Sequence, residues 1–141
     1  MLANPALLVP AVALAGWTFV MWAWMYATRI PAIYAAKMKL DPTAPRGEQM
    51  AQLPPNVRWK ADNYNHLFEQ PTLFYPMAIV LALVSGSGAV EVGLAWGYVA
   101  LRVVHSLLQA TVNKIEVRFV LFFLSSLVLA AMVVRAAMLV V

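Results

Sequence analysis

From Leu2 to Thr28 no residue is charged. At about 1.5 Å rise per residue, a helix over this run exceeds the hydrocarbon thickness of a bilayer, about 30 Å. The run lacks the basic leading segment of a signal peptide, and its apolar part is too long for one, so it is expected to be a retained membrane span. Pro5 and Pro10 lie near its start, where proline is tolerated. The rest of the chain agrees: 63% of its 141 residues are hydrophobic and 11% are charged. So small a soluble domain has too much surface to be covered by so few polar groups. Disorder is excluded on the same ground.

Three further apolar segments follow. The expected spans are about 5–29, 62–84, 89–112 and 117–139, joined by a polar loop of about 37–60 and two short turns. The loop holds Asp41-Pro42, Pro45-Arg46-Gly47 and Pro54-Pro55, and the turns are Ser85-Gly86-Ser87-Gly88 and Asn113-Lys114-Ile115-Glu116. Short turns make neighbouring helices antiparallel, so the expected fold is all-α, an up-down four-helix bundle in the membrane. Of the ten Lys and Arg, Arg29, Lys37, Lys39, Arg46, Arg58, Lys60, Lys114 and Arg118 fall on the side of the first and third connections, and Arg135 falls on the other. By the positive-inside rule those two loops face the cytoplasm and both termini the opposite side. The scattered basic residues form no stripe that would suit nucleic acid.

Ionisable side chains are costly inside a bilayer and mark sites. In the second span Asn65 and Glu69 are four apart and, on a continuous helix, share a face with Thr72 and Pro76. In the third span Tyr98, Arg102, His105 and Gln109 recur at intervals of four, three and four, which makes one stripe. Arg102 lies about 18 Å before Lys114 along the helix, which brings the stripe level with Glu69 and makes a Glu69–Arg102 ion pair available. Arg118 sits at the mouth of the same region. Polar side chains can also act as simple glue between helices. Ser125-Ser126 reads as a small-residue packing face, and the tryptophans of the first span read as interfacial or lipid contacts. There is no cysteine, no His-Glu-x-x-His, no Gly-x-Ser-x-Gly and no phosphate-cradling glycine loop. His66 and His105 alone make a poor metal site. Cations, amides and one carboxylate between lipid-facing helices suit a small anionic or zwitterionic ligand that meets a hydrophobic one.

The stretch Asn65-His66-Leu67-Phe68-Glu69-Gln70-Pro71-Thr72-Leu73-Phe74-Tyr75-Pro76 resembles the second-helix signature of the MAPEG proteins, the membrane-associated proteins of eicosanoid and glutathione metabolism. Arg102-Val103-Val104-His105-Ser106 and Val117-Arg118-Phe119 resemble their third- and fourth-helix entries. The resemblance implies a homotrimer of four-span subunits that binds glutathione near the cytoplasmic face and acts on lipophilic electrophiles or hydroperoxides. It implies Arg118 as the thiolate-stabilising catalytic residue, and Asn65, Glu69, Arg102, His105 and Gln109 as glutathione-binding residues, with no metal. Ala61 stands where catalytic members carry an arginine, and His105 and Gln109 stand where they carry tyrosines. The alternative expectation is a non-catalytic protein of the same fold that binds lipid or acts as a scaffold; a small channel subunit is a third.

Overall fold

The computed structural model describes residues 3–86 and 88–141; Ser87, in the expected second turn, lies outside the described residues. Among the described residues every regular element is helical: α1 Leu8–Ala35, α2 Pro55–His66, α3 Pro71–Val84, α4 Ala89–Thr111 and α5 Ile115–Val140. A short 3-10 turn, Pro5–Leu7, leads into α1. It is tied to the bundle by Asn4, whose amide donates to the Ala82 carbonyl at 2.8 Å.

The first span continues to Ala35, and its 28 residues make a rod of about 42 Å. After it, Gln49 folds the loop back on itself: its side chain donates to the Lys39 carbonyl at 2.9 Å and accepts from the Asp41 amide at 3.1 Å. The Thr43 hydroxyl and amide both donate to Asp41, which holds that carboxyl below the usual carboxylate range. Pro54 is extended and Pro55 opens α2, a position where its fixed φ is already helical and its missing N–H costs nothing.

The second span differs from expectation in two ways. It starts at Pro55, earlier than Asp62, and it is broken in two. Residues 67–70 form a turn, and α3 begins at Pro71. Inside a continuous helix Pro71 would lack a hydrogen bond and press on the Leu67 carbonyl. Starting a new helix there removes both penalties.

The elements pack as four antiparallel rods, α2 and α3 together making one. α4 lies against α5, α1 and α2, and α3 lies against α5. Leu14, Met21, Phe74, Leu81, Tyr98 and Met132 fill the core, with the Phe74 and Tyr98 rings stacked at 4.6 Å. Phe19, Leu73, Phe119 and Val134 point outward, as side chains bathed in hydrocarbon should. Three rods are long and apolar enough to cross a membrane: Pro5–Ala35, Pro55–Val84 and Ile115–Val140. α4 is as long as a span but more polar, because its polar residues are turned inward. Glu91, Tyr98, Arg102, His105, Ser106 and Gln109 are all buried.

At the α3–α4 end, Arg135 of α5 donates to Glu91 Oε1 through Nε at 2.8 Å and Nη2 at 2.5 Å. A side chain on Gly88 would strike this carboxylate, since a Cβ there would lie 2.0 Å from Glu91 Oε2. The Glu91 side chain is 2% exposed and that of Arg135 40%. The two halves of the pair are therefore unequal. Arg135→Ala strands a buried carboxylate and is expected to cost about 3 kcal/mol or more, whereas Glu91→Ala leaves an arginine that reaches the surface and costs less. Denaturation of the two variants in detergent checks the order.

Candidate functional site

The broken second rod places His66 at the C-terminal end of α2, facing Arg102 and His105 of α4 and Phe122 of α5. Arg102 is 1% exposed. Its Nη2 donates to the His66 carbonyl at 3.3 Å, while Nε and Nη1 have no partner. Its guanidinium carbon lies 5.9 Å from the centre of the Phe122 ring. The ion pairs among the described residues are Glu91–Arg135 and His66–Glu69, so no carboxylate is in direct contact with Arg102. A buried cation with one weak backbone acceptor and an aromatic face is poorly compensated in a low-dielectric interior.

Beside it opens a cavity of about 350 Å³ lined by His66, His105, Ile115, Arg118, Phe119 and Phe122. The His66 and His105 rings are 5.1 Å apart, and the His66 and Phe122 rings 5.5 Å. His105 Nδ1 is buried without a partner. Arg118 enters from the first turn of α5. Its Nη1 donates to the Asn113 side-chain oxygen and its Nε is buried without a partner. Asn113 sits in the left-handed region, φ 54°, where it turns the chain from α4 into α5. Arg118 lines this cavity and Arg102 lies behind its wall, against the His66 carbonyl and the Phe122 ring; positive charge at an aromatic-walled cavity suits an anion, and the volume lies in the small-molecule range. Among the described residues, no group of three or more His, Asp and Glu is arranged to hold a metal ion.

The structure thus brings Arg102, His105 and Arg118 together and separates the remaining expected site residues. The anticipated Glu69–Arg102 pair does not form. Glu69 lies in the turn at 67–70, its side chain is 65% exposed, and it bonds His66 Nδ1 at 2.5 Å. Sharing a face with Asn65 required a continuous helix, and the break at Pro71 removes it. Asn65, Glu69, Thr72 and Pro76 are all exposed, so none of them turns into the bundle core; the Thr72 hydroxyl donates to the Glu69 carbonyl at 2.6 Å. Asn65 lines a different cleft of about 360 Å³, with Arg29, Arg46, Arg58, Ala61 and Asp62 around it. Gln109 is buried one turn beyond His105, with its side-chain oxygen unpartnered.

Several functional contacts were not anticipated. Ser106 accepts from Trp17 Nε1 at 3.0 Å and from Asn63 Nδ2 at 2.5 Å, which joins α1, α2 and α4. Trp17 is therefore a polar anchor inside the bundle and not the lipid contact that its position suggested. Gln70 donates to Ser126 at 2.6 Å and accepts from the Tyr98 hydroxyl at 3.4 Å, so Ser126 does more than pack. Lys60 is buried and donates to the carbonyls of Asn56 and Ala110, the latter at 3.3 Å near the end of α4, where a cation also suits the helix dipole. The signal for the Ser106 cluster was its place beside His105 on the buried side of the stripe.

The MAPEG family profile matches residues 7–138, nearly the whole chain. The chain belongs to the MAPEG family. No curated protein and no solved structure matches it. As a MAPEG protein it is a membrane protein, in accord with its three apolar rods and outward-facing aliphatic side chains. The family's four-helix architecture is retained here, with one helix interrupted beside the candidate site.

Ser106→Ala leaves two buried donors, on Trp17 and Asn63, without an acceptor. The expected loss is about 1–2 kcal/mol of stability, near the upper end for hydrogen bonds between membrane helices, and Ser106→Thr should recover part of it. Thermal unfolding in detergent provides the measurement.

Proposed function

We propose that this MAPEG protein is a glutathione-dependent membrane transferase or peroxidase acting on lipophilic electrophiles. It works as a homotrimer whose loops at 36–54 and 112–114 face the cytoplasm. The observation that carries this reading is Arg102, a buried arginine with two unused donor nitrogens and no carboxylate, next to a cavity edged by a second arginine. A fixed anion would have neutralised Arg102 permanently, and its lack leaves that task to a ligand. The residues present fit glutathione, which carries two carboxylates and an ionisable thiol.

Arg118, at the open edge, is assigned to the sulfur and holds it as thiolate by a charge-assisted contact. His105 meets a carboxylate deeper in the cavity, and the buried charge of Arg102 behind the His66 and Phe122 wall favours it. Asn65 and the arginines of its separate cleft would serve the peptide only across a boundary between copies, which is how a trimer would join two incomplete sites. Glutathione supplies the nucleophile, which suits a chain without cysteine. Ile115, Phe119 and Phe122 give the other reactant an apolar approach from the bilayer. The second reading, a non-catalytic lipid-binding or scaffold protein, is favoured by one observation: Glu69 is largely exposed and forms no ion pair with Arg102.

Calorimetric titration of the purified protein with glutathione decides between them. Binding in or below the millimolar range is expected, and loss of a charge-assisted contact in Arg102→Leu should weaken it by about 10- to 100-fold, equivalent to about 1.5–3 kcal/mol. Arg118→Met should bind but show little thiolate absorbance. No binding at millimolar glutathione rejects the first reading and leaves the second.

A further inference from the structure

The hydrogen bond between Glu69 and His66 is unexplained by the roles assigned above. Glu69 Oε2 meets His66 Nδ1 at 2.5 Å, and the His66 ring lines the cavity that Arg118 edges. A carboxylate on Nδ1 fixes the ring orientation, places the proton on that nitrogen and leaves Nε2 as the basic one. The backbone of His66 is fixed as well, since its carbonyl accepts from Arg102 Nη2. The backbone and one ring nitrogen of His66 are thus both held, and the ring whose Nε2 stays unbonded lines the cavity. This is the arrangement of a general base: a carboxylate orients a histidine whose far nitrogen meets the reacting group.

The charged and titratable groups that face His66 are Glu69 from its own turn, Arg102 and His105 from α4, and Arg118 from α5. One carboxylate among these cations can stabilise an imidazolium, and it touches His66 alone. Both arginines are permanent cations and cannot accept a proton. His105, the other imidazole, is buried, and no carboxylate orients its ring. The division of labour follows: the arginines hold negative charge, and His66 moves the proton.

We propose that His66, oriented by Glu69, is the general base that takes the thiol proton of the sulfur nucleophile at this cavity. The proposal rests on the glutathione reading above. In the step, the S–H bond breaks and an N–H bond forms at His66 Nε2. The electron pair stays on sulfur beside Arg118, Glu69 carries the counter-charge to the imidazolium, and the proton then leaves to water at the exposed rim. His66 is a catalytic residue in this scheme, and Glu69 is a positioning residue that acts through it. Glu69 is thereby moved from ligand binding to proton transfer.

The base sets the rate of thiolate formation and the arginine its extent, so the two can be measured apart. Stopped-flow mixing of the purified protein with reduced glutathione, followed by ultraviolet thiolate absorbance over a range of pH, gives both. His66→Gln and Glu69→Gln are each expected to slow thiolate appearance at least about tenfold, given that general base catalysis contributes about 10²–10⁴-fold. Each should keep the parent's final amplitude and its affinity for S-methylglutathione, which has no thiol proton to give. Imidazole NMR of the ligand-free protein supplies a readout independent of turnover: His66 should show the Nδ1–H tautomer in the parent and a mixture in Glu69→Gln. Parent-like rates in both variants, from a protein that binds glutathione and S-methylglutathione, overturn the dyad and leave the glutathione reading standing. A parent that binds neither ligand overturns the glutathione reading, and the dyad's role falls with it.

Discussion

The fold depends on the absence of water in the hydrocarbon layer. A polar group at that depth must find its partner within the protein, and α4 carries more such groups than any other element. Its stripe of Glu91, Tyr98, Arg102, His105, Ser106 and Gln109 is therefore turned inward, and the apolar rods surround it. Half of the six have side-chain partners in place: Arg135 for Glu91, Gln70 for Tyr98, and Trp17 and Asn63 for Ser106. These links reach every other rod, so α4 organises the bundle through its polar side as much as by apolar burial.

The two ends of α4 differ in how complete this pairing is. Near the α3–α4 connection Glu91 meets Arg135 through two nitrogens, and a glycine leaves room for the carboxylate. Toward the other end Arg102 has a single backbone acceptor, and both His105 and Gln109 keep unpartnered atoms. The incompletely paired end is where the proposed glutathione would bind. The open cavity beside Arg118 lies there as well.

Much of this was legible in the sequence, and the failures have local causes. Tyr98, Arg102, His105 and Gln109 lie on an unbroken helix, so their spacing reported their common face correctly. Asn65 and Glu69 were read by the same rule across a helix that stops at His66, and the rule does not hold through a turn. Pro71 was the warning. Glu91 and Arg135 went unpaired because they lie on different helices and no periodicity connects them. Trp17 was misjudged because position along a span says nothing of which way a ring faces.

The interruption at residues 67–70 has a chemical yield beyond bending the chain. A continuous helix uses up its own carbonyl oxygens, whereas an ended one exposes them and carries about half a unit of negative charge at its terminus. The end of α2 presents one, on His66, that the Glu69 amide and Arg102 share. The guanidinium is steadied by a partial charge that belongs to the peptide backbone, survives any change of side chain, and is too weak to satisfy it. The break before Pro71 thus gives Arg102 a partial negative charge from the backbone in place of a full carboxylate.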